Sequence, residues 1–136
     1  MSTDKNNMID TAKAFYGDVL SDPAAAAAQY LADDFLLENY LPENIPFGGR
    51  YEGGDGLAQY LTELSQAIEM GPLDMQAWTG DGTEVVVRGG EQSLVKSTGK
   101  TYSMRFVHWL SFNQDGKLTN MREYNDTAEM AEAFTP

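Results

Sequence analysis

The stretch from Tyr102 to Phe112 reads Tyr-Ser-Met-Arg-Phe-Val-His-Trp-Leu-Ser-Phe. Side chains of an extended chain alternate between two faces. One face therefore carries Tyr102, Met104, Phe106, His108, Leu110 and Phe112, and the other Ser103, Arg105, Val107, Trp109 and Ser111. A strand of this length with one strongly apolar face needs a second layer against that face, which restricts the chain to layered, sheet-containing folds. The only histidine of the chain, His108, lies on the apolar face. It reads either as a core histidine satisfied by a near neighbour or as a polar group aimed into a pocket.

Helical spacing is concentrated at the front of the chain. Residues 5–20 place Ile9, Ala12, Phe15 or Tyr16, and Val19 on one side, and Ser21-Asp22-Pro23 ends the helix. Pro23 opens a second, short helix through the alanines 24–28 to Tyr30 and Leu31. Phe35 to Leu41 is a candidate strand, and Pro42 to Gly54 a Pro- and Gly-rich loop. Asp55 or a neighbouring glycine caps a third helix with the stripe Leu57, Tyr60, Leu61, Leu64 and Ile68, ending near Gly71-Pro72.

Strand signals follow. Leu73 to Thr79 and Thr83 to Arg88 flank the turn Gly80-Asp81-Gly82, and the long strand enters after Thr98-Gly99-Lys100. Gln114-Asp115-Gly116 turns into a last strand from Lys117 to about Tyr124, before a short helix near Thr127 to Phe134. This order predicts an α+β fold in which N-terminal helices cover a curved antiparallel sheet and leave a hollow suited to a small molecule.

The 136 residues are the size of one domain, so residues 1–136 are expected to form a single unit. A formal charge of -12 repels phosphate backbones and anionic lipid surfaces, which disfavours nucleic-acid and membrane partners. The N-terminal stretch has no basic patch followed by an apolar run, and a cytoplasmic location is expected. With no cysteine, one histidine and no Asp-rich loop, no metal site is expected. The glycine pairs 48–49, 53–54 and 89–90 match neither a dinucleotide nor a P-loop pattern and read as turn glycines, so no cofactor is expected.

The order of elements, with Leu31-Ala32-Asp33-Asp34-Phe35, Phe47-Gly48-Gly49-Arg50-Tyr51-Glu52-Gly53-Gly54, Phe112-Asn113-Gln114-Asp115-Gly116-Lys117-Leu118 and Arg122-Glu123-Tyr124-Asn125-Asp126, resembles the cone-shaped fold of nuclear transport factors, steroid Δ-isomerases and SnoaL-like polyketide cyclases. The steroid isomerases place a carboxylate base, a tyrosine and a protonated aspartic acid at positions that fall here on Asn39, Phe15 and His108. Those groups are missing, although Glu38 and Tyr16 are adjacent. The SnoaL-like pattern is closer: it pairs a histidine on the long strand with an acid seven positions beyond the turn glycine, here His108 and Glu123, with glutamate in place of the family's aspartate.

That resemblance implies His108 and Glu123 as the catalytic pair of a cofactor-independent enzyme. The reaction would be an isomerisation, cyclisation or hydration of a small hydrophobic carbonyl compound by general acid/base chemistry. The alternative is a non-catalytic ligand-binding or dimerisation module that uses the same hollow or the sheet face; for Glu123 by itself, the alternative to a site role is a surface ion pair with Arg122, Arg105 or Arg88. Tyr16, Glu38, Tyr40, Tyr60, Trp78 and Phe106 are expected to contact the substrate. Val107 and Trp109, on the other face of the long strand, predict a homodimer through the sheet unless Ala128 to Phe134 covers them.

Overall fold

The computed structural model describes residues 5–136. Residues 1–4, part of the N-terminal stretch read above as lacking a leader pattern, lie outside them. The elements in chain order are α1 (Lys5–Val19), α2 (Pro23–Tyr30), β1 (Leu31–Asn39), β2 (Gly49–Glu52), α3 (Gly53–Ala67), β3 (Ile68–Met70), β4 (Asp74–Gly80), β5 (Glu84–Val95), β6 (Thr101–Phe112), β7 (Leu118–Asn125) and α4 (Thr127–Phe134). The strands form one strongly curled sheet in the order β2-β1-β7-β6-β5-β3, and β4 also pairs with β5. All pairings are antiparallel except the parallel β1–β7 pair.

The helices cover the concave side. Met8, Ala12, Phe15 and Val19, at helical spacing along α1, are buried against it. The Asp22 carboxylate accepts from the Ala25 amide while Pro23 opens α2, so the chain turns back within a few residues. From α3 the cluster receives Leu57 and Tyr60, and from α4 Met130 and Ala133. Because α4 buries its apolar side toward the core, it does not lie over Val107 and Trp109, which remain exposed on the convex side.

Several boundaries differ from the sequence reading. The third helix begins at Gly53 after Glu52, with no side-chain cap bond; Asp55 lies in its first turn. It stops at Ala67, and Ile68–Met70 forms a short strand on Val95, Leu94 and Ser93. The first strand starts at Leu31 and ends at Asn39, and Gly49–Glu52 adds an edge strand within the expected loop.

The larger correction concerns Gly89-Gly90, which are strand residues rather than a turn: β5 runs through them to Val95. A Cβ on Gly89 would lie 2.3 Å from the Asp74 carbonyl oxygen and 2.8 Å from Cζ of Phe106. The glycine is required by the close approach of β4 and of the Phe106 ring.

In β7, Leu118 and Met121 are both buried despite their odd spacing, because the register with β6 shifts between Ser111 and Phe112. That bulge flips the alternation, and beyond it Met121, Glu123 and Asn125 point inward while Arg122 and Tyr124 point outward.

Gly89→Ala is expected to destabilise the protein by about 1–3 kcal/mol in urea unfolding, since a backbone carbonyl cannot step aside as a side chain can. Gly90→Ala, whose Cβ would sit 3.6 Å from the Met104 carbonyl oxygen, should cost less. Equal effects would show that the approach at Gly89 is not what requires the residue.

Candidate active site

The register of β6 on β7 sets His108 directly opposite Glu123. Both face the concave side and both are buried. They stand on the wall of a narrow cavity of about 80 Å³ between the helices and the sheet, otherwise walled mostly by apolar side chains from α1, α3, β6 and β7, including Phe15, Leu57 and Met121.

Each member of the pair is held at its far atom by a tyrosine. The Tyr16 hydroxyl lies 2.6 Å from Nδ1 of His108, with its ring stacked on the imidazole at 5.8 Å and 14°. Phe106 stacks on the imidazole as well, at 4.3 Å. Burial, reinforced by the charge of Glu123, raises the Tyr16 phenol far above the usual tyrosine range, so it keeps its proton. It has no other acceptor among the described residues. The phenol therefore donates to Nδ1, and the ring proton of a neutral His108 resides on Nε2. Burial lowers the imidazole to about 3, which keeps it neutral near pH 7.

Glu123 is organised from the opposite side. Tyr60 of α3 donates to Oε1 at 2.7 Å, Asn39 Nδ2 donates to the Tyr60 hydroxyl at 3.2 Å, and Asn125 Nδ2 donates to Asn39 Oδ1 at 3.1 Å. These donors form a chain that ends on the carboxylate. Burial nevertheless dominates and raises Glu123 to about 7, against the lowering by Tyr60.

The remaining atoms, Oε2 of Glu123 and Nε2 of His108, are 3.8 Å apart. Since the imidazole is neutral this is no ion pair, and the distance is too long for a hydrogen bond. A basic oxygen and an N–H donor thus stand side by side on the cavity wall with neither committed to the other.

Of the residues singled out in the sequence, Tyr16, Tyr60, His108 and Glu123 converge here. Phe106 supports the imidazole from behind. Trp78 packs edge-on against Tyr16, with the Lys13 ammonium 5.7 Å from its ring, and does not border the cavity. Glu38 and Tyr40 require correction. Leu37 and Asn39 point inward, so Glu38 points outward, where it meets Arg50 at 3.1 Å and Arg122 at 4.0 Å. Tyr40 is exposed and stacks on Tyr124 at 5.1 Å. The surface-pair reading of Glu123 is likewise not met, because Arg88, Arg105 and Arg122 occupy strand positions of the opposite, outward parity.

The sequence reading did not single out Asn125 and Glu91, and met Asn39 only as the position where the isomerases' carboxylate base is missing. Inward alternation from Leu37 and from Glu123 marks the two asparagines, but Glu91 was hidden by reading Gly89-Gly90 as the end of a strand. Among the described residues no three or more His, Cys, Asp or Glu side chains gather as metal ligands, and no helix is long and apolar enough to cross a membrane.

The SnoaL-like domain family matches residues 12–121, most of the chain and all of the site except Glu123 and Asn125. The chain belongs to this family. Among solved structures, this SnoaL-like protein is similar to an NTF2-like protein of Burkholderia xenovorans, with 24% identity over 96% of this chain and 98% of that one and a TM-score of 0.87. It is similar to TerC, co-crystallised with polyporic acid, with 23% identity over 96% and 99% and a TM-score of 0.79. It also resembles a protein of Mesorhizobium loti described as a SnoaL-like polyketide cyclase, with 24% identity over 85% and 96% and a TM-score of 0.67. At these identities the likeness establishes the cone-shaped fold. A sequence search of curated proteins finds no match.

Glu123 takes up its proton near pH 7 in the folded chain but near the usual 4.5 when unfolded. The folded state therefore binds the proton preferentially. That contribution is fully present below about pH 4.5 and is lost as the pH rises through about 7, a change on the order of 3 kcal/mol. Glu123→Gln removes this dependence. Its melting temperature should gain on the wild type by several degrees between about pH 5 and pH 8. A constant difference in calorimetric scans across that range would show that Glu123 is not shifted upward.

Proposed function

We propose that this SnoaL-like protein catalyses proton transfer at a carbon next to the carbonyl of a small hydrophobic compound, with Glu123 as the base and His108 as the donor to the carbonyl oxygen. The observation that carries the reading is the uncommitted pair of Glu123 Oε2 and His108 Nε2, 3.8 Å apart on one cavity wall and each held by a tyrosine at its other atom.

In the forward step the α C–H bond breaks, its proton moves to Oε2 and its electron pair enters the carbonyl group. The developing oxyanion accepts a hydrogen bond from Nε2–H of His108. A neutral imidazole suits this role because it stabilises the oxyanion without giving up its own proton. Return of the proton from Glu123 to another carbon completes an isomerisation. Attack of the enolate carbon on a second carbonyl carbon of the same molecule breaks that C=O π bond, and the resulting alkoxide takes the proton from Glu123 to complete a cyclisation. A carboxyl group raised to about 7 is near the driving force that a general base needs at neutral pH. Tyr16 and Tyr60 act as positioning residues, and the apolar wall favours a small hydrophobic substrate. The TerC structure supports an organic ligand for this fold.

The test is deuterium incorporation at the α carbons of 2-tetralone, a compact bicyclic ketone, followed by NMR in D2O. The wild type should accelerate exchange above buffer, with kcat/KM rising through about pH 7 to a plateau as Glu123 ionises. Glu123→Gln should lower the rate by about a hundred-fold or more, and His108→Ala by a comparable factor, with unchanged circular dichroism. Binding of the ketone without any accelerated exchange would replace the enzyme by a ligand-binding module.

We also propose that the protein works as a two-fold homodimer through the convex side of the sheet. Val86, Val107, Trp109 and Tyr124 are exposed there, and the arginine and glutamate side chains on the same face, Arg88, Arg122, Glu38 and Glu84, allow a second copy to offer opposite charges. Trp109→Glu places a carboxylate in that contact at a cost of several kcal/mol and should yield a monomer in sedimentation. A wild type that sediments as a monomer at about micromolar concentration would reject the dimer.

A further inference from the structure

The inward row of β5 is Val85, Val87, Gly89, Glu91, Ser93 and Val95, so a carboxylate stands on an otherwise small or apolar face. Glu91 borders the same cavity as His108 and Glu123. Its Oε2 accepts from Ser93 Oγ at 2.6 Å and from the Tyr102 hydroxyl at 2.8 Å. Tyr102 is buried, and burial together with the charge of Glu91 raises its phenol well above the usual range, so it remains a donor.

Two donors thus fix one oxygen of Glu91, and Oε1 has no hydrogen-bond partner among the described residues. Among the described residues no lysine or arginine pairs with this carboxylate. Glu91 is half-buried and also borders an open surface hollow lined by Gln76, Arg105 and Glu129, and its Oε1, not engaged by a side chain among the described residues, is available as an acceptor to an occupant of the cavity.

Glu91 marks one end of that cavity: it pairs with Met104 across the sheet, four positions along β6 from His108. The wall at the Glu91 end includes Met70, Leu73 and Met104. An ammonium placed there would leave N–H groups facing thioether and aliphatic carbon, whereas a hydroxyl has a single proton to place, and Oε1 can take it.

From this we infer that Glu91, fixed by Ser93 and Tyr102, recognises a hydroxyl group at the end of the substrate remote from the reacting carbonyl. The substrate class becomes a small, apolar hydroxy-ketone, carbonyl at His108 and Glu123, hydroxyl at Glu91. The inference rests on the proton-transfer reading of the cavity and names its substrate.

The experiment compares 2-tetralone with 6-hydroxy-2-tetralone by isothermal calorimetry against the wild type and Glu91→Gln, an isosteric change that keeps side-chain volume. A hydrogen bond to a carboxylate supports a preference of about ten-fold or more for the hydroxylated ketone in the wild type. In Glu91→Gln that ratio should fall toward unity. Tyr102→Phe, which loosens the carboxylate, should give an intermediate ratio. Equal affinity of the wild type for the two ketones, or a preference that survives in Glu91→Gln, overturns the role of Glu91 while leaving the exchange reaction at Glu123 standing. Failure of both ketones to bind overturns this inference together with the proposed function.

Discussion

Glu123 is a carboxyl group enclosed by mostly apolar walls, with no lysine or arginine against it among the described residues, and much of the arrangement around it follows from keeping it there. Its Oε1 is held by a chain of donors that begins at Asn125, passes through Asn39 and ends on Tyr60. These residues come from β7, β1 and α3, so one buried acid ties together elements far apart in sequence. The donors lower its proton affinity and burial raises it more, which leaves the group titrating near neutral pH. A nearby arginine would stabilise the anion and remove its basicity. The arginines of β5, β6 and β7 lie instead at outward positions of the sheet.

The partner histidine depends on an equally long-range contact. α1 crosses the concave side so that Tyr16 meets Nδ1 of His108, ninety-two residues away in sequence. Phe106 on the sheet and Tyr16 from the helix stack on the imidazole, and Trp78 from β4 braces the tyrosine. The aromatic packing therefore has a chemical result: it excludes water, keeps the ring neutral and leaves its single proton on the nitrogen beside Glu123. The curled sheet makes room for this. Gly89 lets β4 and the Phe106 ring approach β5, and the bulge between β6 and β7 restores Glu123 to the inner face.

The fold was legible because it is written in local periods. The alternation of 102–112, the helical spacing of Ala12 to Val19, and the turns at Gly82, Gly99 and Gly116, all in the left-handed region, needed no tertiary information. The histidine was legible as the one polar group on the apolar face of β6. What misled the reading were signals with two meanings. Gly89-Gly90 resembles a turn and is a close approach of strands, and its misreading hid Glu91. Glu38 and Tyr40 flank Asn39, and the end of β1, not their polarity, decides which residue faces in.

By itself the sequence determined most of the helices and strands, the inward face of β6 and the family to which the chain belongs, since these rest on spacings within a few residues of each other. Only the tertiary structure decided that His108 stands opposite Glu123, that Tyr16 and Tyr60 hold their far atoms, and that Glu91 shares the same cavity. Such pairings depend on strand register, on a bulge of one residue and on the crossing of a helix over the sheet. A shift of one position in any of them turns a side chain to the other face.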